Sequence, residues 1–123
     1  MIGFERLDVW KEGCRLTVDI YSELQKCRDN GLRDQMQRAA VSIPSNIAEG
    51  SERQSEKEFI QFLYIAKGSC AELRTQLYIA SKIGAIPAAS CTALVTRCKS
   101  VSRMLQSLIS SMNRKPETGN RKP

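Results

Sequence analysis

Phe59, Leu63, Ala66, Cys70, Leu73, Leu77 and Ala80 recur at alternating steps of four and three residues. After a break at Gly84 and Pro87, Cys91, Leu94, Cys98, Val101, Leu105, Leu108 and Met112 repeat the same alternation. Steps of three and four place apolar side chains on one side of a helix, as knobs for facing helices. The second half of the chain therefore reads as two long helices that bury one face each. No stretch alternates apolar and polar residues as a half-buried strand would.

The first half fits the same plan with weaker punctuation. A first helix is expected from Asp8, whose carboxylate suits a positive helix N-terminus. Its buried line is Val9, Leu16, Ile20, Leu24 and Cys27, with Gly13 on it and Trp10, Thr17 and Tyr21 on one flank. Asp29-Asn30-Gly31 is expected to stop it, since Asn and Gly tolerate left-handed backbone. A second helix shows Leu32, Met36, Ala40, Ile43 and Ile47. Pro44 interrupts this line, removing one N–H and crowding the Ala40 carbonyl. Because the periodicity continues to Ile47, one kinked helix ending near Gly50 is expected.

Ser55-Glu56-Lys57-Glu58 reads as a capping box opening a third helix, which Gly84 would stop after Ile83. Its length of about 28 residues corresponds to roughly 42 Å. Pro87 suits the first turn of a fourth helix ending near Asn113. Residues 114–123 contain no hydrophobic anchor and are expected to be a disordered basic tail beyond a single domain, 1–113. Short connections favour antiparallel neighbours, giving an up-down-up-down four-helix bundle.

Composition alters this picture only in places. Of the 123 residues, 41% are hydrophobic and 26% charged, which suits one soluble domain. No apolar run reaches membrane-span length, so no membrane association is expected, and the N-terminus lacks the pattern of a signal peptide. Five cysteines at 14, 27, 70, 91 and 98 include no CxxC pair, which fits free thiols in a reducing cytoplasm. The net charge of +6 is unevenly placed. Residues 1–84 hold twelve basic and twelve acidic groups, whereas residues 85–123 hold seven basic groups against Glu117 alone. The excess lies on Arg97, Lys99, Arg103, Arg114, Lys115, Arg121 and Lys122, candidate contacts to the phosphates of RNA or DNA.

The third helix carries a second apolar line, roughly opposite the first: Ile60, Tyr64, Ala71 and Tyr78, with Gly68 alongside. One stripe closes a monomeric bundle, so a second points to burial against another copy. Gly68 and Ala71 would admit a close backbone, and the tyrosines supply contact area.

Catalytic chemistry is poorly provided for. Histidine is absent, which removes the commonest general base, the commonest zinc ligand and the Glu-x-x-His pairs of di-iron bundles. No nucleophile elbow or phosphate-binding glycine loop is present. Neither enzymatic activity nor a metal or other cofactor is expected. Cys70, Cys91 and Cys98 fall on core lines, where small apolar cysteines pack well; a thiol-based metal or redox sensor is a remote rival.

Ser42-Ile43-Pro44-Ser45-Asn46-Ile47-Ala48-Glu49-Gly50, Arg53, the run Phe59 to Ala66, Gly68-Ser69 and Glu72-Leu73 form a specific combination. With Phe4-Glu5-Arg6-Leu7-Asp8-Val9-Trp10, they resemble the four-helix proteins of the intervening-sequence family, some encoded within bacterial 23S ribosomal RNA genes. A related branch includes the accessory variability protein of diversity-generating retroelements. The resemblance covers about residues 4–112. It implies a cytosolic bacterial four-helix bundle assembled as a ring-shaped homopentamer and, more weakly, association with nucleic acid. The retroelement branch is strongly basic and binds a reverse transcriptase. Residues 1–84 here are charge-neutral, which argues against that partner.

Among the matching polar residues, Asn46 and Glu49 lie near Pro44, where Asn46 is placed to satisfy a freed carbonyl or reach a neighbouring helix. Glu72, with Arg53 or Arg74 as its partner, reads as a register or subunit contact. The combined expectation is a non-enzymatic homo-oligomeric scaffold that binds RNA or DNA electrostatically. The alternative is a protein-interaction adaptor that binds no nucleic acid.

Overall fold

The computed structural model describes residues 3–114, which form four α-helices and no strand. A 3-10 turn at Phe4–Arg6 precedes α1, Asp8–Glu23. The others are α2, Asn30–Ser51; α3, Glu56–Lys82; and α4, Ala88–Asn113. Of the expected tail, only Arg114 lies within the described residues. No helix among them is long and apolar enough to cross a membrane.

The caps correct two boundaries. Leu7, not Asp8, holds the cap position of α1, and Asp8 is the first helical residue. Asp29-Asn30-Gly31 does not stop the first helix. α1 ends at Glu23, a 3-10 turn Leu24–Lys26 follows, and Asp29 caps α2 by accepting the Leu32 N–H at 3.0 Å. Ser55 caps α3, its hydroxyl oxygen accepting the Glu58 N–H at 3.1 Å. At the other end Gly84, at φ +80°, lets the Ala85 N–H reach the Ala80 carbonyl at 2.8 Å and its own N–H reach Ser81 at 3.1 Å. That closure needs a left-handed residue, which is why glycine stands there. Pro87 sits one residue outside α4, in the cap position.

α2 passes unbroken through Pro44. Proline deprives the Ala40 carbonyl of its helical donor. Asn46 does not replace it; its amide donates to Ser42 O at 2.7 Å, within α2. The substitute comes from α1, whose Thr17 hydroxyl lies 2.9 Å from Ala40 O and 2.8 Å from its own helix's Gly13 O. Gly13 permits the approach, because a Cβ there would meet Ile43 Cγ2 at 3.3 Å and the Pro44 ring at 3.5 Å. Gly13, Thr17 and Pro44 therefore act together to lock α1 onto α2.

α2 packs against α1 and α3, and α4 against α3 and α1, around one core. Cross-helix contacts fix the register. Thr17 meets Ala40 while Gly13 meets Pro44; Ser42 donates to Ser69 while Gly50 meets Phe62. Lys67 donates to Gln106, and the Cys91 thiol lies 3.5 Å from Leu77 O. In each pair of helices, residue numbers fall along one as they rise along the other. The expected line of α3 is fully buried from Leu63 to Ala80, with Phe59 half-buried, and Val95 and Ile109 join that of α4.

Candidate functional site

α4 contains no acidic residue. Lys99, Arg103 and Arg114 are exposed along it. Arg103 and Arg114 share a shallow groove of about 370 Å³ with Gln106, Ser107 and Ser110. The groove floor is braced from α3: Lys67 Nζ donates to Gln106 Oε1 at 2.6 Å, and the Gln106 amide donates to Ser110 Oγ at 3.2 Å. Two guanidinium groups, an amide and two hydroxyls on one face make a donor-rich surface. Guanidinium geometry matches phosphate oxygens in bidentate fashion.

Arg97 stands apart from that cluster. Its side chain is two-thirds buried and ion-paired with Asp19 of α1, on a different side of α4. Lys115, Arg121 and Lys122 lie outside the described residues. Lys67, Gln106, Ser107 and Ser110 were not singled out by the sequence reading. A signal was available, since Arg103, Ser107, Ser110 and Arg114 follow the same four-three-four steps as the core line.

The outer face of α3 differs in kind. Tyr64 and Tyr78 are 49% and 53% exposed, Ala71 is exposed, and nothing lies within 4 Å of where a Gly68 Cβ would be. Ile60 instead is half-buried and packs on the core. The line is wider than the sequence reading made it, because Ile65 and Ile79 are exposed beside the tyrosines, with Ile83 beyond. Ile65, Glu72 and Ile79 repeat the heptad of Tyr64, Ala71 and Tyr78 one residue on.

The matching polar residues occupy local roles. Glu49 pairs with Arg53 at 3.1 Å along α2's last turn, and the Arg53 guanidinium lies 4.9 Å from the centre of the Phe62 ring. Arg53 thus ties the α2–α3 corner to α3 through a cation–π contact. Glu72 is exposed and pairs with neither Arg53 nor Arg74; it makes no ion pair among the described residues.

Four of the five thiols are buried and Cys14 is half-buried. Burial pushes the Cys70 thiol up to about 11, opposed by the charges of Arg74 and Lys67. Burial pushes Cys98 up to about 12, with neighbouring Cys70 adding to the rise and Arg74 and Arg97 opposing it. Such thiols are neutral and unreactive near pH 7. No cluster of three or more His, Cys, Asp or Glu able to hold a metal ion occurs among the described residues.

Comparison with known proteins identifies the architecture. One solved structure, a protein with unknown function from the S23 ribosomal protein family of Bacteroides thetaiotaomicron, superposes with a TM-score of 0.77 at 22% identity. The match covers 83% of this chain and 95% of that one, and at this identity it speaks for the fold. No curated protein matches the sequence. Residues 5–107 match the 23S rRNA-intervening sequence protein family, and the chain belongs to that family.

Proposed function

We propose that this protein is a non-enzymatic, homo-oligomeric scaffold of the bacterial cytoplasm that holds RNA or DNA by its sugar-phosphate backbone. Its four helices are read as an up-down-up-down bundle, supported by opposed numbering across each helix pair, and the resemblance to the family suggests a pentameric ring. The observation that carries the nucleic-acid reading is the outer face of α4. A 26-residue helix without one acid sets Lys99, Arg103 and the adjoining Arg114 beside serine hydroxyls on an open surface. Phosphate contacts of this kind bind through charge and carry little sequence information. Repetition in every subunit would multiply a modest local charge into a strong field.

Binding of fluorescent RNA and DNA oligonucleotides, titrated over a salt series, tests this reading. Log affinity should fall steeply with log salt, by about 0.7–0.9 for each phosphate contact. Arg103→Glu combined with Arg114→Glu should weaken binding and flatten that slope, with helicity and molecular mass unchanged. Truncation after Met112 should act in the same direction. No binding to any RNA or DNA at low salt defeats the proposal. The adaptor reading, which the apolar outer face of α3 favours, then takes its place.

A further inference from the structure

Given the homo-oligomeric reading above, we infer that copies of this chain join head to tail. The outer face of α3 of one copy seats on the α1–α2 face of the next, and Glu72 meets Arg38 across the contact.

The large exposed hydrophobic side chains of the described residues fall into two groups. Five lie on or just beyond α3: Tyr64, Ile65, Tyr78, Ile79 and Ile83. Three lie on α1 and α2: Val18, Tyr21 and Val41. The α1–α2 helices are neighbours, whereas α1 and α3 share no major contact and lie across the core from one another. The two patches therefore belong to different sides of the molecule, as a contact that propagates from copy to copy requires. Their shapes also differ. α3 offers a ridge with a low saddle at Gly68 and Ala71, while Tyr21 stands between two shallow grooves of about 690 and 520 Å³.

Charge decides between this arrangement and a two-fold pairing of α3 with itself. The α3 pattern is symmetric, with Tyr64 and Tyr78 seven residues either side of Ala71, and Ile65 and Ile79 seven either side of Glu72. An antiparallel α3–α3 contact in register would bring Glu72 onto its own copy, and like charges directly opposed repel. The α1–α2 face instead supplies the opposite charge. Arg38 is exposed, lines the smaller groove with Tyr21 and Val41, and makes no ion pair among the described residues. The groove's acid, Asp34, is already 3.9 Å from Arg33 Nε.

Height along the bundle agrees. The Ser42–Ser69 bond sets the register of α2 and α3, so Glu72 lies level with Ala39, beside Arg38. The Thr17–Ala40 bond likewise puts Val18 level with Ala39. Rotation about a ring axis parallel to the helices moves copies round without sliding them, so mating residues must share a height. Glu72, Arg38 and Val18 do so, and Tyr21 lies within one turn of them.

Light scattering on the full chain tests the contact through a charge swap, with helical circular dichroism recorded for each variant. Wild type should show a multiple of 13.8 kDa. Glu72→Arg and Arg38→Glu should each raise the apparent dissociation constant at least tenfold, and the double variant should recover most of the loss. Tyr21→Arg, remote from α3, should dissociate the assembly independently. An oligomeric wild type whose mass ignores Arg38→Glu and Tyr21→Arg overturns this contact while leaving the oligomer intact, as does a double variant that fails to recover. A wild type of 13.8 kDa at high concentration overturns the contact and the oligomeric reading together.

Discussion

The two long faces of α3 share one spacing and have opposite fates. The inner line from Leu63 to Ala80 is sealed by α2 and α4, with Leu63, Ala66, Leu73, Leu77 and Ala80 at 0% exposure. The outer line, Tyr64–Ala71–Tyr78 beside Ile65–Glu72–Ile79, repeats at the same interval with its tyrosines and isoleucines about half exposed. The inner residues are aliphatic or small, shapes that interdigitate without polar atoms. The outer ones are amphipathic or interrupted by Glu72, Gly68 and Thr75, as suits a surface that stays wetted until something covers it. Heptad spacing alone thus specifies that a face is to be packed; residue type says whether the packing is internal.

Two glycines provide the sharpest way to break that contrast, since a single added methyl probes each environment. Gly50 ends α2 against α3, where a Cβ would come within 2.5 Å of Phe62 Cβ and 3.0 Å of Phe59 Cδ1. Phe62 Cβ adjoins the backbone and cannot swing aside, so α2 and α3 must separate. Gly50→Ala should destabilise the fold by about 1–3 kcal/mol, the usual cost of overpacking. Urea denaturation measures this, and an unchanged midpoint would mean the α2–α3 corner is looser than described.

Next in size is the alkaline response of the sealed face. Cys70 and Cys98 ionise at about 11 and about 12 in the fold, against 9.0 when unperturbed. A pKa raised on folding means that the unfolded chain loses its protons first as pH rises. Stability is therefore intact below pH 9 and declines between 9 and the folded values, by up to about 1.4 kcal/mol per thiol for each pH unit. Comparing denaturation at pH 8 and pH 10, Cys98→Ala should lose roughly 1 kcal/mol less than wild type. Equal losses would mean water reaches Cys98.

The helices and most of the core were legible in the sequence because they rest on local periodicity, which the chain keeps across some 25 residues in α3 and α4. The α1–α2 junction was misread because Asp, Asn and Gly serve equally as a stop for one helix and a start for the next; only the Asp29–Leu32 bond distinguishes them. Thr17 was seen as a flank residue, yet its hydroxyl repairs the carbonyl that Pro44 strands 23 residues on. Arg97 shows the same limit at the candidate site. It looked free beside Lys99 and Arg103, but its carboxylate partner is 78 residues away in sequence. Long-range pairing of polar groups leaves no periodic trace, whereas the convergence of Arg103, Ser107, Ser110 and Arg114 did leave one.

The smallest expected effect is the most discriminating. Gly68 lies in the middle of α3 with open space where its Cβ would be, so the isolated chain has no contact to lose. Glycine in a helix interior costs about 0.5–1 kcal/mol relative to alanine through backbone entropy. Gly68→Ala should therefore stabilise the monomeric fold by that amount, opposite in sign to Gly50→Ala. If another backbone approaches the Gly68–Ala71 saddle in the assembly, the same methyl fills the space it needs. Denaturation at protein concentrations below the dissociation constant would then show a stabilised chain, while scattering at high concentration shows a weakened oligomer. Stabilisation with unchanged assembly would mean that the contact spares the saddle and rests on the tyrosines and isoleucines alone. A destabilised monomer would contradict the open outer face itself, because nothing within 4 Å is present for the methyl to displace.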